Sequence, residues 1–383
     1  MQAKRDICFV TAAEETIQVF LTEHFKVLGR NYSLSVVTNT KNPDFLRPFG
    51  LDVRVFPLHI ERRIAPMWDI ASLLSLYCLL RRCRFASVHS VTPKAGLLSM
   101  VAAFFARVPL RIHTFTGQVW FTKKGIVRWT LKIADKLIAF CATHILVDSI
   151  SQRDFLIREK VISEAKSRVI AEGSICGVDT ERFIPNPAER RDIRERFSIR
   201  ESDVVFLFLG RLTIDKGLLD LAQAFSRISN IHANTCLLIV GPDEENMKER
   251  VLDICKDFSE RIHFETFTKR PEKFMAAADV FCLPSYREGF GMTVIEAGSV
   301  GLPSIGTRIY GISDAIDEKT TGFLFTPRDI DGLAEIMLKM VEEPGIRKQM
   351  GMQSRQRVIQ LYSKELVTAA FVNYYDTLLA SNE

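Results

Sequence analysis

The stretch Val280-Phe-Cys-Leu-Pro-Ser-Tyr-Arg-Glu288-Gly-Phe-Gly-Met-Thr-Val-Ile-Glu296 has the order of a strand, a glycine-rich loop and a helix. Its four apolar residues Val280–Leu283 predict a short buried strand. Gly289 and Gly291 predict a tight loop whose backbone N–H groups lie at the start of a helix, where anions are favoured. Ligands of parallel sheets bind beyond the carboxyl ends of the strands, so this loop is a candidate ligand site.

The same alternation of short apolar runs and amphipathic segments extends over the whole chain. Helical patterns of roughly 10–18 residues lie between most of the runs. The apolar runs are Ile7–Thr11, Leu34–Thr38, Ser87–Ser90, Leu110–Phe115, Thr143–Asp148, Arg168–Ala171, Val204–Leu209, Thr235–Val240, Ile262–Phe264, Val280–Leu283 and Pro303–Gly306. Alternation of this kind predicts an α/β fold of parallel sheets with helices on both faces.

A break in the pattern near residues 177–203 predicts two domains. Glycine and proline punctuate a loop from Gly177 to Pro187, and the charged stretch Glu189–Arg196 follows. A chain of 383 residues is also longer than a domain with a single hydrophobic core usually is, so about two domains are expected. We place the linker around Phe183–Pro187. The expected parts are a domain over residues 1–183, a second over residues 187–363, and a C-terminal helix at about 364–383 that packs back on the first domain.

The composition excludes several classes of protein. Hydrophobic content of 47% and charged content of 25% are typical of a globular chain. Eight scattered cysteines, without a Cys-x2-Cys pair, offer neither a zinc site nor a disulfide framework. The first apolar run, Ile7–Val10, is too short for a signal peptide. The longest, Ile70–Leu80, has 11 residues, where a spanning helix needs about 20. We therefore expect reduced thiols in a cytoplasmic protein.

The net charge of +5 conceals an asymmetry between the two halves. Residues 1–185 hold 26 Lys and Arg against 16 Asp and Glu, whereas residues 186–383 hold 25 against 30. Residues 70–134 contain no acid. They contain ten basic residues: Arg81, Arg82, Arg84, Lys94, Arg107, Arg111, Lys123, Lys124, Arg128 and Lys132. A segment of this length with only positive charges predicts an anionic partner. The candidates are a membrane surface, a diphosphate and a nucleic acid.

Two other strand ends carry candidate ligand-binding residues. The segment Gly210-Arg-Leu-Thr-Ile-Asp-Lys-Gly217 follows a strand and sets Arg211 and Lys216 near a helix start, which suits a diphosphate. The alternative is two solvated charges near a turn. Gly241, in Val240-Gly-Pro-Asp243, lets a flat ring approach the backbone closely, although Gly-Pro after a strand is usually only a turn.

Glu288 and Glu296 flank the glycine-rich loop and are candidate hydroxyl-binding groups. A carboxylate at Glu296 can accept hydrogen bonds from both hydroxyls of a ribose, and Glu288 can accept them from a sugar. The two are poor candidates for an acid/base pair, because they are eight residues apart across a glycine hinge. The alternative is a carboxylate at a helix start and a solvated loop acid.

These motifs together resemble the family-4 retaining glycosyltransferases. Glu288–Glu296 resembles the E-x7-E motif of that family, and Gly210–Gly217 resembles its diphosphate-binding Arg and Lys. Gly177–Phe183 is similar to its Asn-Gly-Val-Asp-x3-Phe segment, with Cys176 in place of Asn, and Gly311–Leu324 matches the segment after the motif. The resemblance covers roughly residues 85–365. It implies the GT-B fold, in which two Rossmann-like, doubly wound domains face a central cleft.

The resemblance also implies roles for individual residues. Arg211 and Lys216 would bind the donor diphosphate, Glu296 the ribose, and Glu288 the transferred sugar. The implied contacts to the nucleotide sugar are Arg211, Lys216, Gly241, Phe290, Gly291, Met292, Thr293 and Glu296. Many relatives have a Gly-Gly loop where this chain has Thr11–Glu14. Many also have a catalytic His where this chain has Thr116, with His113 three residues earlier, so both are candidate catalytic residues.

Two N-terminal segments narrow the resemblance. Val88–Gly96 and Arg111–Trp120 are similar to the subgroup that builds bacterial capsule and O-antigen repeat units, whose acceptors are sugars on undecaprenyl diphosphate. The implied reaction is retaining transfer of a hexose-type sugar, with N-acetylhexosamine as the first candidate, from a UDP-sugar. No cofactor or metal is expected, because in this reaction Arg211, Lys216 and the helix start at Gly291 would stabilise the charge of the leaving diphosphate.

Two basic and apolar segments of the first half suit an anionic membrane surface. Trp120–Lys132 mixes basic and aromatic residues, and an apolar helix over residues 67–85 ends in three arginines. The alternative is an ordinary core beside a solvated charged face. The hypothesis predicts a peripheral protein on the inner face of the cell membrane.

Three other functions are weighed against glycosyl transfer. A nucleotide-sugar epimerase of the same fold would release free sugar or an isomer without an acceptor. A non-enzymatic nucleic-acid binder would use the basic half, but the other half is net acidic and no known nucleic-acid module occurs, so no nucleic acid is expected. An NAD enzyme would carry Gly-x-Gly-x-x-Gly after the first strand, which this chain does not.

Overall fold

The computed structural model describes residues 4–61 and 65–381, which form two compact units. Unit 1 contains the described residues up to Gly177 and those from Lys364 onward, and unit 2 is Val178–Ser363. The boundary between Gly177 and Val178 precedes the linker expected at Phe183–Pro187. Of the C-terminal helix expected at about 364–383, residues 382 and 383 lie outside the described residues.

Strands and helices alternate along both units. The strands are β1 (Asp6–Val10), β2 (Ser33–Thr38), β3 (Arg54–Pro57), β4 (Ser87–Val91), β5 (Leu110–Phe115), β6 (His144–Val147), β7 (Ser167–Arg168), β8 (Val204–Leu209), β9 (Thr235–Val240), β10 (Ile262–Glu265), β11 (Val280–Leu283), β12 (Ser304–Thr307) and β13 (Gly322–Phe325). The α-helices are α1 (Glu14–Phe20), α2 (Thr22–Asn31), α3 (Pro66–Cys83), α4 (Pro93–Phe105), α5 (Gly125–Cys141), α6 (Ile150–Arg158), α7 (Pro187–Arg196), α8 (Leu218–Ser229), α9 (Met247–Ile254), α10 (Pro271–Ala277), α11 (Met292–Val300), α12 (Ile312–Ala315), α13 (Ile330–Glu342), α14 (Pro344–Leu361) and α15 (Lys364–Ala380). Short 3-10 turns lie at Arg47–Phe49, Val119–Thr122, Ile214–Lys216 and Lys256–Arg261.

Each unit contains one parallel sheet. The seven-stranded sheet of unit 1 has the order β3-β2-β1-β4-β5-β6-β7, and the six-stranded sheet of unit 2 has the order β10-β9-β8-β11-β12-β13. All recorded strand pairs in both sheets are parallel. The α/β prediction with two Rossmann-like, doubly wound sheets is confirmed.

The central strands of unit 2 are almost wholly apolar because they are covered on both faces. The run Val-Val-Phe-Leu-Phe-Leu of β8 is buried except at its last residue, and β9 and β11 are buried throughout. In unit 2 the chain order reverses between β8 and β11, which are direct neighbours. In doubly wound sheets this reversal opens a crevice at the carboxyl ends of the two strands, so their following loops are the candidate ligand site.

Helix α15 completes the core of unit 1 through hydrogen bonds to two buried histidines. Tyr375 is fully buried, and its hydroxyl lies 2.6 Å from His89 Nδ1. His24 Nε2 donates to the Ile175 carbonyl at 2.8 Å, while His24 Nδ1 lies 2.9 Å from the Thr368 hydroxyl. Burial lowers the pKa of His24 to about 4 and that of His89 to about 3, so both rings are neutral at neutral pH.

Candidate functional site

The loops that follow β8 and β11 are fastened together in unit 2. Tyr286 N donates to the Asp215 carbonyl at 2.8 Å. Gly217 has a φ of +68°, and a Cβ atom on it would lie 2.0 Å from the Pro284 carbonyl oxygen. Glycine is therefore required for this close approach. The motifs Gly210–Gly217 and Glu288–Glu296, which are distant in sequence, thus form one site where the strand order reverses between β8 and β11.

Lys216 and Glu288 form an ion pair at the centre of this site. Lys216 Nζ lies 2.5 Å from Glu288 Oε1, and the Ser285 hydroxyl donates to the same oxygen at 2.8 Å. Their side chains are only 21% and 16% exposed, so the pair is partly desolvated. A ligand phosphate and a ligand hydroxyl would each have to displace one member from the other. Ser285 is a functional candidate that the sequence motifs do not indicate.

Arg211 is held beside Glu244 by pairing between the loops after β8 and β9. Leu212 N donates to the Pro242 carbonyl at 2.9 Å. Arg211 Nη1 lies 2.9 Å from Glu244 Oε2, with side chains 52% and 44% exposed. An exposed pair of this kind contributes roughly 0.2–1 kcal/mol, so a bound anion can replace Glu244 at little cost.

Gly241 is required by the backbone of a neighbouring loop. Its φ is +147°, and a Cβ atom on it would lie 1.9 Å from the Gly210 carbonyl oxygen. From the sequence, this glycine is explained either by the close approach of a ligand ring or by an ordinary turn after a strand. The structure gives packing of the loops after β8 and β9 as the reason for glycine at this position.

Helix α11 begins directly after the glycine-rich loop. Gly291 caps it with a φ of +86°, a left-handed conformation that favours glycine. The Phe290 side chain is buried against Tyr362, with ring centroids 5.3 Å apart, so only its backbone is available to a ligand. Met292 and Thr293 are half-buried in the first turn of the helix, where free N–H groups and the helix dipole favour an anion.

Glu296 lies one turn further along α11 and is half-buried. Burial raises the pKa of its carboxyl to about 7, while the charge of Arg182 acts to lower it and that of Glu272 to raise it. Arg182 forms an ion pair with Glu272 at 2.9 Å and donates to the Lys269 carbonyl at 2.7 Å. Arg182 and Glu272 are 90 residues apart in the sequence, which therefore gives no signal of their contact.

Thr116 and His113 have different environments in unit 1. His113 is 1% exposed within β5, with Nδ1 2.8 Å from the Ser90 hydroxyl. A Cβ atom on Gly96 of α4 would lie 2.4 Å from this ring, so the helix is packed directly on it. Burial lowers the pKa of His113 to about 3. Thr116 follows the last residue of β5 and is half-buried, so it is the one that lies at the carboxyl edge.

Asp148 is a buried carboxyl at the carboxyl edge of the unit 1 sheet. It is absent from the candidate residues predicted from the sequence. It follows β6 directly, is 7% exposed, and its Oδ1 atom has no hydrogen-bond partner among the described residues. Burial raises its pKa to about 8. The only sequence signal is its position at the end of an apolar strand.

Two helices of unit 1 expose apolar side chains to solvent. On α3 these are Met67, Trp68, Ile70 and Leu74, and on α5 they are Ile126, Val127, Trp129, Ile133, Leu137 and Phe140. The residues of α5 recur at helical spacing and form a stripe along its whole length. Among residues 4–61 and 65–381, no helix is both long and apolar enough to cross a lipid bilayer.

Trp120 does not belong to that exposed surface, which corrects the prediction for Trp120–Lys132. It is 1% exposed, and its indole Nε1 donates to Asp135 Oδ2 at 2.7 Å. The Arg128 guanidinium and the Lys132 ammonium lie over its ring, 5.2 and 5.6 Å from the centroid. Trp120 therefore anchors the start of α5 to the core, whereas Trp129 is exposed.

Cysteine and histidine side chains, which are common metal ligands, are dispersed in this structure. All eight cysteines are free thiols. Within the part of the chain that the structure describes, no three His, Cys, Asp or Glu side chains are grouped so as to hold a metal ion.

Comparison with known proteins gives matches over both units. Residues 189–357 match the family model "Glycosyl transferases group 1", and residues 23–173 match "Glycosyl transferase 4-like domain". The chain is 30% identical over 326 residues, 85% of each chain, to the capsular polysaccharide biosynthesis glycosyltransferase CapM of Staphylococcus aureus. It is also 30% identical over 288 residues, 74% of this chain and 73% of the relative, to the UDP-Gal:alpha-D-GlcNAc-diphosphoundecaprenol alpha-1,3-galactosyltransferase of Escherichia coli.

Solved structures share the fold at low sequence identity. The Anabaena protein Alr3699/HepE, crystallised in complex with UDP, superposes with a TM-score of 0.80 at 16% identity, covering 97% of this chain and 100% of that one. At this identity the similarity establishes the fold alone.

Proposed function

This chain belongs to the group 1 glycosyltransferases, and from that membership we propose that it moves a sugar from a UDP-sugar to a saccharide on undecaprenyl diphosphate. The observation that carries the proposal is the joining of Arg211, Lys216 and the start of α11 at the reversal of the unit 2 sheet. The E. coli relative uses a UDP-sugar and a diphosphoundecaprenol acceptor, and the Anabaena neighbour was crystallised with UDP, which support this donor and acceptor.

The donor diphosphate is assigned to Arg211, Lys216 and the backbone of Phe290–Thr293. Each is a cation or a set of N–H groups, and each lies at the carboxyl edge of β8 or β11. Negative charge grows on the diphosphate as its bond to the sugar breaks, and these groups stabilise that charge. The proposal needs no cofactor or metal ion, because the protein itself supplies the positive charge.

The two glutamates are assigned to hydroxyl groups of the donor. When the diphosphate attracts Lys216, Glu288 loses its partner and accepts from hydroxyls of the transferred sugar, while Ser285 continues to hold it. Glu296 accepts from the ribose hydroxyls. Its ionised form is the better acceptor, and burial keeps that form balanced against the neutral one near neutral pH.

The transfer is proposed to retain the anomeric configuration. The bond between the anomeric carbon and the phosphate oxygen breaks, the acceptor oxygen bonds to that carbon from the same face, and its proton passes to the leaving phosphate oxygen. No carboxylate is needed as a nucleophile in this scheme. On the acceptor side we assign Thr116 in preference to His113, because His113 is packed beneath α4 and Thr116 lies at a strand end.

Attachment to the inner face of the cell membrane is assigned to α3 and α5. An amphipathic helix that exposes Trp129 and Ile133 between basic residues is typical of a protein lying in the headgroup region. Lys123 and Lys124 precede this stripe, are exposed and attract anionic lipid. Such attachment would bring the enzyme to a lipid-linked acceptor.

The proposal is tested with radiolabelled UDP-sugars and extracted lipid-linked acceptors. A panel of UDP-galactose, UDP-glucose, UDP-N-acetylglucosamine and UDP-N-acetylgalactosamine is scored by the mass and anomeric configuration of the lipid product. Arg211→Ala is expected to abolish most turnover, while Arg227→Ala, an exposed arginine paired with Asp331, serves as the matched control. A free isomer made without acceptor would instead indicate an epimerase, and turnover of Arg211→Ala near wild type would refute the diphosphate assignment.

A further inference from the structure

One aromatic side chain of unit 2 is exposed at the edge of the sheet where the donor is proposed to bind. Phe267 lies in the loop after β10 and is 69% exposed. Every residue of unit 2 is described, and its other aromatic side chains are buried or half-buried. A ring left in water forgoes the favourable burial that the other rings obtain. Its position in the fold indicates which ligand would cover it.

The first end of this loop adjoins the loop that carries Arg211. The Glu265 carbonyl, at the end of β10, accepts from Gly241 N at 2.9 Å. The Pro242 carbonyl accepts from Leu212 N, the residue after Arg211, at 2.9 Å. The loops after β8, β9 and β10 are therefore linked in order along one edge of the sheet.

The second end of the loop adjoins the carboxyl assigned to the ribose. Arg182 donates to the Lys269 carbonyl at 2.7 Å and is paired with Glu272, at the start of α10. The charges of Arg182 and Glu272 both act on the pKa of Glu296. The segment that contains Phe267 therefore runs from the neighbourhood of the diphosphate cations to that of the ribose carboxyl.

We propose that the ring of Phe267 stacks on the uracil of the donor. This inference rests on the proposed function, which supplies the UDP-sugar. A nucleoside diphosphate with its phosphates at Arg211 and its ribose at Glu296 has its base beside this loop. The face of an aromatic side chain stacks favourably on the face of a base, so Phe267 adds affinity for UDP without contacting the diphosphate.

Calorimetric titration of the full chain with UDP and with pyrophosphate tests this assignment. Phe267→Ala is expected to weaken UDP binding roughly tenfold, because one base–aromatic stack is lost. Phe267→Trp keeps an aromatic face and is expected to bind UDP close to wild type. Pyrophosphate lacks a base, so its affinity should be the same in all proteins. Ile231→Ala removes an apolar side chain that is 64% exposed elsewhere in unit 2 and is the matched control.

Three results would overturn the assignment. If the Phe267→Ala variant binds UDP as tightly as wild type, Phe267 does not stack on the uracil, and the proposed donor is unaffected. An equal loss of pyrophosphate affinity would mean that the substitution disturbs the loop and the phosphate groups. A wild-type protein that binds pyrophosphate but no UDP would refute the proposed donor, and the stack with it.

Discussion

Lys216 and Glu288 form an ion pair, with a contact of 2.5 Å between Nζ and Oε1. They come from loops after different strands, and the Gly217–Pro284 contact holds those loops together. The cation assigned to the leaving phosphate and the acceptor assigned to the sugar are thus held at one site by the same two loops. Donor binding exchanges one charged partner for another, so little charge has to be newly desolvated.

Substitution of each member should separate binding from transfer. Lys216→Ala removes a phosphate cation and is expected to weaken UDP binding and lower kcat/KM by about 10²–10³-fold. Glu288→Gln releases Lys216 from its partner, so UDP binding should be unchanged or tighter while transfer falls. Calorimetry with UDP and turnover with a UDP-sugar measure the two effects. Equal loss of UDP affinity in both variants would contradict the exchange.

Glu296 should make UDP binding depend on pH. Its pKa of about 7 predicts that the ribose-binding carboxylate forms between about pH 6 and 8, so wild-type affinity rises over this range relative to Glu296→Gln. Both proteins are titrated with the same ligand, so the titration of its own phosphate cancels. A wild-type to variant ratio that stays constant from pH 6 to 8 would refute the role of the carboxylate.

Asp148 should destabilise unit 1 at high pH. Its folded pKa of about 8 is above the ordinary value near 3.8, so the stability it contributes is present below pH 4 and is lost as the pH rises through 8. Asp148→Asn keeps the shape without the charge. We expect the excess of this variant over wild type in free energy of unfolding to be larger at pH 9 than at pH 5 by about 1–3 kcal/mol, because wild type loses stability across this range. Denaturation at both pH values measures it, and an excess that is no larger at pH 9 would contradict the burial argument.

The stripe on α5 should determine attachment to anionic vesicles. Trp129→Ala with Ile133→Ala removes two exposed apolar side chains and should lower co-sedimentation with phosphatidylglycerol vesicles several-fold. Wild-type binding should also weaken with salt, because basic residues contribute. Ile359→Ala, an exposed residue of unit 2, is the control. Binding that is insensitive to anionic lipid, salt and the double substitution would refute the membrane assignment.

The central strands could be predicted because buried strands are rich in apolar residues, almost without interruption in unit 2. β5, β8, β9 and β11 have the predicted bounds. Two edge strands were missed for physical reasons. β3 is half-exposed and ends in Pro57, and β13 begins with Gly322, where a Cβ atom would lie 1.9 Å from the Ser304 carbonyl oxygen. β3 therefore lacks the apolar pattern of a covered strand, and the glycine of β13 precedes a run of only three apolar residues, 323–325.

The motifs of the candidate site could be predicted, but the contacts between them could not. Gly210–Gly217 and Glu288–Glu296 follow strands that are distant in sequence and adjacent in space, and only the strand order places them together. The alternation of side chains along a strand does indicate one feature of the site, the burial of His113. His113 and Phe115 are two residues apart, share a face of β5 and are in edge-to-face contact at 4.5 Å, so His113 belongs with the buried side chains.

The chain passes from one unit to the other twice, between Gly177 and Val178 and between Ser363 and Lys364. In each unit, hydrogen bonds hold the residues near these two crossings close together. In unit 2, Val178 N donates to the Tyr362 carbonyl at 2.7 Å, so the first and last residues of that unit lie side by side. In unit 1, His24 holds Ile175 and Thr368 together. The proposed donor half is therefore one uninterrupted insertion with adjacent ends. Unit 2 can therefore be replaced through two neighbouring junctions, and such a replacement leaves helix α15 with the core of unit 1.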